Sequence, residues 1–248
     1  LGTRISEETY LKPKPMIEIG NRPIIWHLMK IYSSYGINEF IICCGYKGFL
    51  IREYFYNYLM HTSDMTIDFK SNKVNYKSKN SDNWKITLVD TGQETMTGGR
   101  IKRAAPYIEN KPFMLTYGDG LSDLNVNDLI QFHNNHNGLV TMTSVQLASR
   151  FGILEIGDDG KVLEFKEKPK ENEAWINGGF FVCEPKILDF INNDETVFEN
   201  EPLNQLTQNN ELIAIKHNGF WGCMDTLRDK KMLNELWDNH QAPWKVWN

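Results

Sequence analysis

A basic surplus is the first thing this sequence lacks. Its 248 residues carry 27 Lys and Arg against 32 Asp and Glu, a formal charge of −5. Proteins that grip nucleic acid along its phosphates usually present a basic face, so nucleic acid is not an expected partner. Long apolar runs are missing too. The longest unbroken one, Phe40 to Cys44, falls far short of the ~20 residues a spanning helix needs, and no membrane partner is expected. Cysteine is scarce: Cys43, Cys44, Cys183 and Cys223 are all there is, with no C-x-x-C pair. Neighbouring Cys43 and Cys44 sit in a strand-like run that points them to opposite faces. A disulfide framework or zinc site is therefore not expected, and a reducing cytoplasm is the expected setting. There is no Gly-x-x-x-x-Gly-Lys loop, no nucleophile elbow around Ser33-Ser34, and no repeat or low-complexity tract. What remains, 41% hydrophobic and 24% charged, is the composition of a globular chain with a sizeable core.

Periodicity gives the fold class. Ile24, Ile25, Leu28, Met29 and Tyr32 keep helical spacing, and Gly36 suits the position just past a helix end. Phe40 to Cys44 reads as a strand buried on both faces. The pattern predicts an aromatic-rich helix over 49–60, strands over 84–89 and 112–117, and helical character over 99–108. A helix over 125–137, capped by Asn125, and a strand over 139–145 follow. Such alternation with short loops predicts an α/β fold: a mainly parallel, Rossmann-like sheet flanked by helices. Beyond residue 146 the pattern becomes an α+β elaboration. Short strands are expected over 152–156, 161–165 and 179–183, with a hairpin turn at Asp158-Asp159-Gly160. Helices over 185–191 and 201–208, a strand over 212–216 and a closing helix over 226–237 complete it. One domain with two parts, 1–146 and 147–248, is the expected organisation.

Several short motifs carry possible chemistry, each beside a plainer reading. Gly2-Thr3-Arg4 and Lys12-Pro13-Lys14-Pro15 combine small residues, which let backbone amides approach phosphate oxygens, with cations that answer their charge. The prolines around Lys14 restrict where its ammonium can go; alone, the stretch is a solvated basic loop. Tyr117-Gly118-Asp119-Gly120 ends a strand, where ligands bind in open α/β sheets, and its carboxylate is placed to hold Mg²⁺ beside a phosphate. Alone, Asp119 is a turn residue. Asp225 offers a second carboxylate and suits the N-cap of the final helix at least as well. Thr97-Gly98-Gly99-Arg100 opens a helix after the Asp90-Thr91-Gly92 turn, which suits an anion or a close-packed base; Arg100 is equally a surface helix residue. Glu167-Lys168-Pro169 and Asn177-Gly178-Gly179 offer groups for sugar hydroxyls and a phosphate, or are surface turns and a bulge. His133 and His136 lack a third ligand, so a packed His133 and a solvated His136 are expected. The aromatics Tyr54, Phe55, Tyr56 and Tyr58 belong to a core or a subunit interface.

Taken together, these motifs resemble the sugar-1-phosphate nucleotidyltransferase family. The stretches Ile42 to Gly48, Val89 to Gly92, Met96 to Arg100, Met224 to Asp229 and Ala242 to Lys245 resemble its cytidylyl-transferring branch, and the likeness runs through the whole chain in order. The resemblance implies an enzyme that joins CTP to α-D-glucose 1-phosphate, releasing diphosphate. Its product, CDP-glucose, is a precursor of dideoxy sugars in bacterial surface polysaccharides such as O-antigens. It also implies Mg²⁺ held by Asp119 and Asp225, with Arg4 and Lys14 as catalytic cations on the triphosphate. Gly2, Thr3, Arg4, Lys14, Thr95, Arg100 and Gly118 would line the nucleotide site, in a nucleotide-binding part over 1–146. Glu167, Lys168, Asn177 and Gly178 would address the sugar phosphate, in the part over 147–248. A homo-oligomer is implied as well, with the aromatic helix near Tyr54 to Tyr58 as a contact surface. The family opens with a strand leading into Leu-Ala-Gly-Gly, and the sequence here starts after those glycines. Its first, interior strand and part of the nucleotide loop are therefore expected to be missing from it. The rivals are the same reaction with UTP or dTTP, and a non-catalytic sugar-nucleotide sensor. Arg4, Lys14, Asp119 and Asp225 occurring together argue for the enzyme.

Overall fold

A computed structural model of the chain describes residues 10–78, 82–146, 153–156, 161–166 and 174–247. Gly2, Thr3, Arg4, Glu167 and Lys168, and the expected turn at 158–160, lie outside the described residues. After a 3-10 turn at Lys14–Met16 comes a minimal hairpin of β1 (Glu18–Ile19) and β2 (Arg22–Pro23). Helix α1 (Ile24–Ser34) starts directly after Pro23 and buries Ile24, Leu28, Ile31 and Tyr32. It stops at Gly36, whose φ of +84° a residue with a Cβ rarely adopts. Strand β3 (Glu39–Cys44), helices α2 (Gly48–Tyr56) and α3 (Tyr58–Thr62), and the hairpin β4 (Ser63–Asp68) with β5 (Lys73–Ser78) follow. Next come β6 (Lys85–Asp90), α4 (Thr97–Ala104), β7 (Phe113–Thr116), β8 (Gly120–Ser122), α5 (Val126–Asn134) and β9 (Val140–Gln146). The remainder holds β10 (Ile153–Ile156), β11 (Val162–Lys166), β12 (Trp175–Cys183), α6 (Glu201–Gln208), β13 (Leu212–His217), β14 (Trp221–Cys223) and α7 (Leu227–Asp238).

The α/β class follows from how the strands are covered. One four-stranded sheet has the order β13-β9-β12-β7. Along β12, successive side chains alternate faces: Phe180 and Val182 join the core under α1, α5 and α7, while Phe181 and Cys183 join a second core with Ile101, Ile187, Phe198 and Leu206. Helices thus flank both faces. Parallel pairing occurs in β13 with β9 and in β3 with β6; β12 runs antiparallel between β9 and β7. Strands β7 and β9 come from before residue 147, and β12 and β13 from after it, so one sheet joins the two halves of the sequence.

Several local expectations change. Phe40, Ile42 and Cys44 do face a core with Ile25 and Met29 of α1, but Ile41 on the other face is 37% exposed. There α4 covers only the end of the strand, where the Cys43 thiol donates to the Arg100 carbonyl at 3.6 Å. The helix expected over 49–60 is divided at Asn57, whose ψ of 3° leaves the helical range. The segment over 185–191 is a 3-10 helix, Pro185–Phe190. Asn125 does cap α5, accepting from the amides of Asn127 and Asp128. His133 is buried as expected, whereas His136 is half-buried and its Nε2 lies 2.7 Å from the Thr141 hydroxyl.

Candidate functional site

Two short strands place the carboxylates. β8 and β14 pair antiparallel with Gly120 opposite Cys223, and the Met224 amide donates to the Asp119 carbonyl at 2.8 Å. Asp119 enters β8 as Asp225 leaves β14, so the pairing itself brings the two side chains to one place. Asp225 is not the helix cap. Thr226 is: its hydroxyl accepts from the Asp229 amide at 3.2 Å, and the Asp229 carboxylate accepts from the Thr226 amide at 3.0 Å. The capping box leaves the Asp225 carboxylate directed at the site.

Lys14 completes the cluster. Pro13, with φ of −65°, leads into the turn that carries it. The loop lies so close to the strand end that a Cβ on Gly118 would sit 2.8 Å from the Pro15 ring. The ammonium donates to Asp225 at 2.6 Å and to Asp119 at 3.1 Å. Partial burial would lower its pKa, but the Asp225 hydrogen bond and the Asp119 charge outweigh that and hold it at about 12. Lys14 is a fixed cation at any physiological pH.

The carboxylates of Asp119 and Asp225 and the Cys223 sulfur offer ligand atoms within 4.8 Å of one another. Burial, and then the charges of Asp119 and Asp225, push the pKa of the Cys223 thiol well up. The two carboxylates are oxygen donors of the kind that a hard cation such as Mg²⁺ takes.

Beside the cluster lies a cavity of 190 Å³ lined by Tyr117, Asp119, Asn177, Gly178, Trp221 and Cys223, among others. Its wall is built by a bulge in β12. The register slips between Asn177 and Phe181, and Gly179 takes a φ of +77°, where a Cβ would sit 2.8 Å from the Tyr117 ring. The bulge turns the Asn177 amide inward: its Oδ1 accepts from the Gly179 amide at 2.8 Å and its Nδ2 donates to the Tyr117 hydroxyl at 3.2 Å. The Trp221 indole donates to the Gly178 carbonyl at 2.7 Å and so ties the bulge to β14.

The structure therefore brings together Lys14, Gly118, Asp119, Asn177, Gly178 and Asp225. Thr95 and Arg100 form a separate group. Thr95 is buried, and the Arg100 guanidinium braces the preceding turn, donating to the Thr91 hydroxyl at 2.7 Å and to the carbonyls of Gly92 and Gln93 at 2.9 and 3.1 Å. It is neither a solvated surface arginine nor directed at the carboxylates. Sequence reasoning missed Trp221 and Cys223, although both stand a few residues before Asp225.

Comparison with known proteins places these residues in context. The sequence profile of the nucleotidyl transferase family matches residues 1–226. Glucose-1-phosphate cytidylyltransferase of Salmonella typhi is 53% identical over 248 residues, covering 100% of this chain and 96% of that protein. Mannose-1-phosphate guanyltransferase of Saccharomyces cerevisiae is 28% identical over 240 residues, 94% of this chain and 60% of that protein. Among solved structures, HddC from Yersinia pseudotuberculosis superposes with a TM-score of 0.67 at 23% identity, covering 96% of this chain and 95% of that one. That last likeness is one of fold. Among the described residues, no helix is long and apolar enough to cross a membrane.

Proposed function

This chain belongs to the nucleotidyl transferase family, and we infer that it transfers a cytidylyl group from CTP to α-D-glucose 1-phosphate, giving CDP-glucose and diphosphate. One observation carries the chemistry: Lys14 and two carboxylates far apart in sequence meet beside a cavity that Asp119 itself lines. The choice of CTP and glucose 1-phosphate rests on full-length identity to the Salmonella typhi protein of that name.

In this reading an oxygen of the sugar phosphate attacks the α-phosphorus of CTP. The new P–O bond forms as the bond to the bridging oxygen breaks, and the electron pair leaves on diphosphate. The nucleophile is already an anion at neutral pH, so no general base is needed. The difficulty is bringing two anions together in line, which is a matter of charge and orientation. Lys14 answers the first, its charge fixed and its loop restrained by Pro13 and Pro15. Arg4 is assigned with it to the triphosphate, and Gly2, Thr3, Thr95, Arg100 and Gly118 to the nucleotide site. Asn177 and Gly178, with Glu167 and Lys168, are assigned to the sugar phosphate. Asp119 and Asp225 would hold Mg²⁺, which when bound neutralises phosphate charge.

The same reading includes a homo-oligomer. The contact surface expected at Tyr54 to Tyr58 is largely used within the chain, with Tyr54 and Phe55 packed on the core and Tyr58 bonded to Trp26 and Asp82; support comes instead from the β4–β5 hairpin, where Met65 pairs with Tyr76 and Ile67 with Val74 to leave one apolar face exposed. A cytoplasmic setting is supported by four free cysteines.

The test is diphosphate release from glucose 1-phosphate with CTP, UTP, dTTP and GTP in turn, with and without Mg²⁺. CTP should be preferred by at least about tenfold in kcat/KM, about 1.4 kcal/mol. Equal rates with all four would remove the base assignment, and CDP-glucose binding without turnover would favour the sensor.

A further inference from the structure

A carboxylate outside the cavity lining governs two groups inside it. Glu199 lies in the loop before α6 and accepts two hydrogen bonds that converge from different parts of the fold. One of its oxygens accepts from the Tyr117 hydroxyl and the other from the Thr97 hydroxyl at 2.6 Å. The Thr97 hydroxyl in turn accepts from the Phe198 amide at 2.9 Å, while its own proton goes to the Glu199 carboxylate. Tyr117 lines the cavity two residues before Asp119, its ring packed edge-on against Phe181 at 5.6 Å. Because its proton goes to Glu199, its oxygen is left as an acceptor, and Asn177 Nδ2 donates to it. Burial, followed by the Glu199 hydrogen bond, pushes the Tyr117 phenol far above its ordinary pKa, so it remains a hydroxyl.

This chain fixes polarity as well as position. With Oδ1 held by the Gly179 amide and one Nδ2 proton held by Tyr117, the Asn177 amide cannot flip. Its second N–H is then a donor of fixed direction in the cavity. Remove the Glu199 carboxylate and the Tyr117 hydroxyl is free to turn its proton toward Asn177, which unlocks the amide.

We propose that Glu199 is a positioning residue for the sugar-phosphate site: through Tyr117 it sets the orientation of Asn177, and through Thr97 it ties that side of the cavity to α4, the helix that carries Arg100. This rests on the function inferred above and adds a residue that touches no reacting atom. The effect should fall on one substrate. Glu199→Ala is expected to raise KM for glucose 1-phosphate about tenfold, the loss of roughly one well-placed hydrogen bond, while KM for CTP changes less than about twofold. Glu199→Gln keeps one acceptor oxygen and should recover part of the difference.

The experiment is steady-state kinetics with each substrate varied, on wild type, Glu199→Ala, Glu199→Gln, Tyr117→Phe and the Tyr117→Phe/Glu199→Ala pair, with melting temperatures for all. If Glu199 acts through Tyr117, the double variant is no worse than Tyr117→Phe alone. Equal loss with both substrates, full additivity in the double variant, or an unchanged KM for glucose 1-phosphate would overturn the proposal. Should Glu199→Ala not fold, the Gln variant with Tyr117→Phe decides by the same two criteria. A wild type that makes no CDP-glucose would instead overturn the function inferred above, which separates the two failures.

Discussion

Two clusters in this molecule are closed by contacts spanning almost the whole chain, and they obey opposite physics. Lys14 meets Asp225 across 211 positions, and Trp244 meets His27 across 217. The first cluster is half-exposed and built of charged groups. The second is dry and balanced. Trp244 is fully buried, stacked on Trp237 with centroids 6.5 Å apart and tilted onto Phe220 at 5.4 Å. Its indole donates to His27 Nδ1 at 3.4 Å, while His27 Nε2 lies 2.9 Å from the Ile19 carbonyl and must carry the proton. Helix α7 joins them, with Asp225 just before its first turn and Trp237 in its last. The aromatic cluster anchors the helix whose other end, about 18 Å away, presents a carboxylate to the site. Packing is placed where the rings exclude water, and chemistry where charged groups stay within its reach.

The largest effect should come from the dry end. Trp244→Ala removes a fully buried indole and leaves His27 Nδ1 without its donor. It is expected to cost about 3–5 kcal/mol of unfolding free energy. Urea unfolding measures this. Turnover of the fraction still folded should stay close to wild type, and a collapse of kcat at a temperature where the variant is fully native would show that the anchor and the site are not separate in kind.

Lys14→Ala probes the other end. Losing one fixed donor at a site of developing charge is expected to lower kcat about 10²–10³-fold, or about 2.7–4 kcal/mol. Its ion pairs are partly exposed, so unfolding free energy should move by no more than about 1 kcal/mol. A stability loss as large as the activity loss would make Lys14 a structural cation and erase the contrast.

What the sequence disclosed follows the same division. Lys14 between prolines, and Asp119 between glycines after an apolar strand, are local patterns with a local physical meaning; that they converge with Asp225 was implied only by the family resemblance. The cap expected at Asp225 falls instead to Thr226, whose Thr-x-x-Asp spacing is itself a capping-box pattern that the reciprocal bonds with Asp229 bear out. The β4–β5 hairpin was legible but unread: Met65 and Ile67, then Val74 and Tyr76, alternate with polar residues on either side of a turn. Trp244 and Glu199 lie beyond sequence reasoning of this kind. Nothing near either residue in the chain indicates that one closes on α1 or that the other receives Tyr117 and Thr97. The bulge at Gly178 and Gly179 is intermediate. The glycines marked it, but its use in turning Asn177 inward depends on the Tyr117 ring that crowds it.

Acid provides the subtlest way to separate the two clusters. Burial, with a smaller unfavourable contribution from Arg22, lowers the His27 pKa to about 4. Its ordinary value in an unfolded chain is about 6.5. Between these values the unfolded chain holds a proton on this ring that the folded chain does not, so stability rises with pH across that window. Conversely, as pH falls from about 6.5 to about 4 the protein should lose up to about 3 kcal/mol through His27 alone. A protonated ring would face the indole N–H of Trp244 with a second N–H, which is why the folded state resists it. Lys14 stays charged throughout, since its pKa is raised to about 12. Other carboxylates also titrate in acid, so the measurement is a difference: unfolding free energy at pH 7, 5.5 and 4.5 for wild type and His27→Gln. The wild type should lose stability more steeply than the variant over this range. Parallel slopes would mean that His27 takes up its proton without opening the aromatic cluster, and that the dry end of α7 is less closed to water than its packing implies.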